Sequence, residues 1–210
     1  MVNETTWWLM DCALPNLNWA RMRVFADGTA DVLDSDGRLH EFHSAADARD
    51  WLSEDELIRA SSLEPDELAA YVLETEDIAP PPEGISDAEL VPRMSQQIWG
   101  ASLREDIAAT AFSAPWMRVA ADDRRALEQA LAEDLRPDHS LFGREARAVG
   151  RHAGRGEVVF LVDSPPELAI VELSSSSSFR QAPLLRTTHP STFDDFLNRM
   201  LRDEAEAKAG

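Results

Sequence analysis

Two glycine-bearing turns in the first fifty residues constrain this chain more than any other feature. Residues 21–25, 29–34 and 38–42 are short β-prone runs, separated by Ala26-Asp27-Gly28 and Ser35-Asp36-Gly37. Three-residue loops ending in glycine suit hairpins, because glycine accepts the left-handed conformation that closes the turn. That geometry pairs Val24 with Ala30, Met22 with Val32 and Phe42 with Ala30. One face is then apolar apart from His40, while Arg23, Asp31 and Glu41 line up across the other. A slip of one residue in either hairpin would scatter both sets, so the pattern fixes the register. Residues 7–10, from Trp7 to Met10, supply a fourth strand.

Ser44 to Asp47 has the spacing of a helix cap, with Ala48, Trp51 and Leu52 on the following inward face. Residues 53–56 read as a short turn carrying Leu57 and Ile58, and Pro65 opens a helix that turns Leu68, Ala69, Tyr71 and Val72 inward. The proline run at 80–82 makes 79–94 a stiff linker. Helices are expected over 95–109 and 122–135, the second with Leu127, Leu131 and Leu135 at i, i+4 and i+8, and residues 112–119 between them read as irregular. Strands follow at 146–150, 157–162 and 168–173, with Val158, Phe160, Val162, Ala169 and Val171 as core. A serine loop at 174–178 leads to a last helix with Phe193, Phe196, Leu197, Met200 and Leu201 inward and a frayed tail at 204–210. The expected fold class is α+β: two small modules, 1–78 and 95–210, each an antiparallel β-meander covered by helices.

Charge is unevenly divided between them. Residues 1–78 hold 18 Asp and Glu against five Arg, so most of the net charge of -19 belongs to the first module. Such a field repels nucleic acid and anionic headgroups and draws in basic proteins. No run of about 18 uncharged apolar residues could span a bilayer, and Met1 to Met10 lacks a signal peptide's basic start, which points to a cytoplasmic, membrane-free protein. A lone cysteine, Cys12, fits a reducing compartment and reads as a small buried residue.

The candidate chemistry is sparse. His40 and His43 diverge from an extended strand and cannot share an ion, so no metal is expected. His139, His152 and His189 have Asp138, Ser140, Asp163, Ser164 and Ser191 nearby in sequence, without the spacing of a known nucleophile motif. The loop of Gly150, Gly154 and Gly156 with Arg151 and Arg155 joins two strands, where a phosphate loop would open a helix. No catalytic residue and no cofactor is therefore assigned. Aromatic and acidic residues of the first module are better candidates for binding a partner: Trp8 and Trp19 as anchors, and Asp27, Asp34, Asp36, Asp50, Glu54, Asp55 and Glu56 as the charged surface.

The paired tryptophans, the Arg21 to Gly28 pattern, the Asp34 to Gly37 turn and Trp51-Leu52 with Glu54 and Asp55 resemble small uncharacterised bacterial proteins found near polymorphic toxins. His139 to Arg144, followed by 157–161 and the helix bearing Phe193, Phe196 and Met200, is similar to a second such group. The resemblance implies an immunity-type protein and carries no site residues with it. Acidity and the lack of a catalytic motif lead to the same expectation, a non-enzymatic immunity protein that covers a basic toxin domain. A secretion adaptor or chaperone for a basic client, and an enzyme of unrecognised class, are the alternatives.

Overall fold

The computed structural model describes residues 1–173 and 185–209, so the serine run at 174–178 lies outside the described residues. The chain divides into two compact units, Met1–Ala101 and Ser102–Gly210, and each is α+β.

The first unit holds β1 (Val2–Met10), β2 (Leu17–Phe25), β3 (Ala30–Leu33), β4 (Leu39–Phe42), α1 (Ala45–Glu54), β5 (Leu57–Arg59), α2 (Pro65–Ala70), α3 (Asp87–Leu90) and β6 (Ser95–Gln96). Its sheet runs β4-β3-β2-β1-β5, with β6 added beside the start of β2. Both hairpins close as the glycines require. Phe25 N–H donates to Thr29 O at 2.8 Å and Asp34 N–H to Arg38 O at 3.1 Å, with Gly28 at φ +88° and Gly37 at φ +82°. The register is the expected one: Met22 faces Val32, Val24 faces Ala30, Ala30 faces Phe42, and Arg23, Asp31 and Glu41 align across β2, β3 and β4.

Both faces of this sheet are covered. On one, Trp8, Ala20, Met22, Ala30 and Val32 pack against Ala48 and Leu52 of α1, whose Ser44 hydroxyl accepts the Asp47 N–H at 3.2 Å. On the other, Leu9, Leu17, Trp19 and Leu33 pack against Leu68, Leu73, Leu90 and Met94. The expected linker is therefore no linker. Residues 79–94 lie on the sheet because Leu9, Trp19 and Leu33 would otherwise face water, and Asp87 pairs with Arg21 at 2.8 Å. The expected helix over 95–109 also splits: Ser95 and Gln96 pair with Asn18 and Leu17, and the helix starts only at Ala101. Leu57 and Ile58, expected to follow a turn, form an edge strand against Leu9 and Met10. Cys12, expected to be buried, is exposed.

The second unit takes α4 (Ala101–Ala109), β7 (Trp116–Arg118), α5 (Ala121–Asp134), β8 (Ala146–His152), β9 (Glu157–Val162), β10 (Glu167–Glu172), β11 (Thr187–Thr188) and α6 (Phe193–Ala209). Its sheet runs β11-β10-β9-β8-β7. Val158, Phe160, Val162, Ala169 and Val171 pack with Leu131 of α5, as their alternation requires. Three expectations fail here. Residues 116–118 form a strand, paired with Gly150 to His152. The tail is helical to Ala209, held by Lys208–Glu204 at 2.5 Å and by Ser113 donating to Glu204 at 2.9 Å. Leu201 is 63% exposed while Phe196 and Met200 are buried.

A bulge between Ala148 and Gly150 bends β8. There a Cβ on Gly150 would stand 2.4 Å from the Phe112 ring and 3.4 Å from the Met117 carbonyl. Gly150→Ala is expected to cost about 1–3 kcal/mol, read as a lower urea midpoint with unchanged slope.

Candidate functional site

A groove opens on the α1 side of the first sheet, at the end where the β3–β4 turn, the last turn of α1 and the start of β5 meet. It encloses about 250 Å³, and its walls include Asp34, Asp36 and Arg38 from the turn, His40 from β4, Trp51 and Asp55 from α1, and Leu57. Each wall has a local cause. The glycine turn puts Asp34 and Asp36 at the tip of the hairpin. The Ser44 cap starts α1 so that Trp51 reaches over β4, where the His40 and Trp51 rings lie 4.5 Å apart, tilted by 32°.

Asp34 is the best-held carboxylate in the groove. Its Oδ1 accepts the Arg38 N–H at 2.8 Å and its Oδ2 lies 2.9 Å from His40 Nε2. Partial burial works against its charge, but the bonds from His40 and the turn outweigh that and hold it below the usual carboxylate range. Asp36, Asp50, Glu54, Asp55 and Glu56 are exposed and make no ion pair among the described residues. The acids that do find arginines are others: Asp31 with Arg23 at 2.6 Å, Asp87 with Arg21 at 2.8 Å, and Glu4 with Arg59 at 3.4 Å.

The end of α1 is electrostatically unfavourable as it stands. Glu54, Asp55 and Glu56 sit at the negative end of the helix with no basic residue in its last turn. Glu56 moreover takes φ 59°, a left-handed position that glycine fills without strain. Glu56→Gly is expected to raise the stability of the first unit by about 1 kcal/mol, seen as a higher thermal midpoint.

The structure gathers only part of the expected binding set. Asp34, Asp36 and Asp55 line the groove, which Trp19 also borders, Glu54 and Glu56 adjoin Asp55, and Asp50 lies one helical turn before Glu54. Asp27 does not belong with them. It sits on the β2–β3 turn, at the opposite end of β3, where it accepts the Thr29 hydroxyl at 2.7 Å. The tryptophan anchors are corrected. Trp8 is 7% and Trp19 1% exposed; alternation sends Trp8 under α1 and Trp19 to the other face, edge-on to Trp7 at 6.1 Å. The large aromatic at the groove is Trp51, half-buried: it packs against the α1-side core, as the inward helical face requires, and also lines the groove. Its signal was His40, the one polar residue on an otherwise apolar face.

The second unit places Ser140 Oγ 3.4 Å from His189 Nε2, and His189 Nδ1 3.3 Å from Glu167. Glu167 is also bound by Arg144 at 2.5 Å, and the amide after the serine, Leu141 N–H, donates to His139 Nδ1 at 3.1 Å. His139 in turn reaches Thr187 at 3.0 Å. These contacts tie the 139–144 turn to β10 and β11, and the Leu141 amide is already committed to His139. His152 packs edge-on against Trp116 and accepts the Gly154 N–H at 3.1 Å. The basic run is paired as well: Arg147 with Glu145, Arg151 with Asp123, and Arg155 with Asp203. Among the described residues no three His, Cys, Asp or Glu side chains converge as a metal site requires, and no helix is long and apolar enough to cross a membrane. Compared with known protein families, with curated proteins and with solved structures, the chain matches none.

Proposed function

We propose that the protein is a non-enzymatic binding protein of the cytoplasm that captures a basic protein domain, in the manner of an immunity protein covering a toxin. The observation that carries this reading is the end of α1. Three consecutive carboxylates stand at a helix C-terminus, one of them in a left-handed conformation, beside a groove that adds Asp34, Asp36 and an indole. This arrangement lowers the stability of the free protein, and a cationic partner would relieve it. Opposite charge speeds encounter, while Trp51 offers a face for a guanidinium or ammonium group.

The test pairs this gene with its neighbours in the native host. A basic partner should co-purify at low salt, arrest growth when expressed alone, and be neutralised by co-expression of this protein. The quadruple variant D36N/E54Q/D55N/E56Q should lose that protection. Protection undiminished in the variant would refute the assignment of the groove. A partner held only while unfolded would point to an adaptor or chaperone.

A further inference from the structure

The first sheet ends on β4, and among the described residues no further strand pairs with that edge. The closing bond from Asp34 N–H to Arg38 O makes residues 34 and 38 a hydrogen-bonded pair. Antiparallel alternation then turns the backbone groups of His40 and Phe42 toward β3 and those of Leu39 and Glu41 outward. Leu39 is 47% exposed, Glu41 and His43 are exposed too, and the strand has no proline, lysine or bulge of the kind that guards open edges. The other edges differ. β5 is three residues long and carries Arg59, β7 is three residues with Arg118, and β11 is two residues.

Where the β2–β3 turn meets the end of β4 lies an open depression of about 410 Å³, lined by Phe25, Thr29 and Ala30 together with Asp31, Glu41 and Phe42. Asp31 is engaged by Arg23 through two bonds, at 2.9 and 2.6 Å, so Glu41 supplies its unspent charge. We infer that β4 is a docking edge on which an extended segment of the basic partner adds a strand to the sheet, its backbone bonded to Leu39 and Glu41 and a cationic side chain lodged toward Glu41. This rests on the proposed capture of a basic partner and names the form in which part of it is held. Charge favours that occupant over a second copy of this chain, whose net charge is -19.

The probe is a capped hexapeptide of alternating arginine and valine, with a glutamate-valine hexapeptide as control. Amide exchange followed by NMR should slow at Leu39 and Glu41 on adding the cationic peptide and stay unchanged with the acidic one. Leu39→Pro removes an outward N–H and no ladder bond, and should weaken peptide binding about 10-fold, the loss of roughly one main-chain hydrogen bond, while Leu39→Ala should bind nearly as well as the parent. Exchange on the parent chain stands by itself if the proline variant does not fold. The inference is overturned if Leu39 and Glu41 are not protected, if the acidic peptide protects them equally, or if they become protected without peptide as protein concentration rises. If the native partner ignores Leu39→Pro but is lost with the groove variant, the edge assignment falls and the capture reading stands; if it ignores both, both fall.

Discussion

Replacing Trp116 with alanine is expected to destabilise the second unit by about 3–5 kcal/mol. The indole is 1% exposed, stands edge-on to Phe196 at 5.8 Å and to His152 at 5.1 Å, and donates its N–H to Asp203 at 2.8 Å. Alanine removes the packing and one partner of a buried carboxylate together. Trp116→Phe separates the two: most of the ring volume remains, the hydrogen bond is lost, and about 1.5–3 kcal/mol should go with it. Trp116 is the only tryptophan beyond residue 101, so amide exchange in β9 is the better measure than fluorescence, which reports the first unit's five. A loss below about 1 kcal/mol for the alanine variant would contradict this packing.

The same contact sets a dependence on pH. Burial works against the Asp203 charge, but bonds from Trp116 and Arg155 and the nearby Arg199 more than offset it, so its carboxyl is held below the usual range. A carboxyl depressed in the folded state adds stability that is complete above its unfolded value of about 3.9 and disappears as pH falls through the folded one. Asp203→Asn should therefore flatten the acid side of the stability curve of the second unit. An unchanged acid limb would show that Asp203 does not set it.

Neutralising the groove by D36N/E54Q/D55N/E56Q is expected to slow association with the basic partner about 10-fold or more at low salt, with a shallower salt dependence and little change in dissociation. Trp51→Ala should act the other way, speeding release by an amount typical of an aromatic anchor, about 2 kcal/mol. Asp27→Asn is the control, because it removes an acid of the same unit from the far end of β3. Equal slowing by Asp27→Asn would mean that diffuse charge, rather than the groove, draws in the partner. Stopped-flow kinetics at two ionic strengths decides between them.

The two hairpins, their register, the capped start of α1 and the β8–β9–β10 meander were all legible in the residues, because each depends on neighbours in the chain. A glycine at φ +82° fixes a turn of a few residues, and strict alternation fixes which side chains share a face. Asp34, Asp36 and Asp55 could be named as surface acids in the same way. Their meeting in one groove could not, since it depends on where α1 ends over β4, as in the His40–Trp51 contact, and on the β3–β4 turn reaching the same place. Nor could the fate of residues 79–94. Their proline run resembles a spacer, yet Leu90 and Met94 are held down by an apolar sheet face whose extent only the paired strands define. Trp8 and Trp19 show the same division. Alternation put the adjacent Trp7 and Trp8 on opposite faces; only the assembled layers decided that Trp8 and Trp19 are both covered, with the half-buried Trp51, in the last turn of α1, as the aromatic beside the acids. What the sequence by itself determined is the local backbone and the sign of the surface, because both follow from short-range sterics and simple charge. What the tertiary structure alone decided is which carboxylates share a field, because that is set by burial of distant apolar residues against one another.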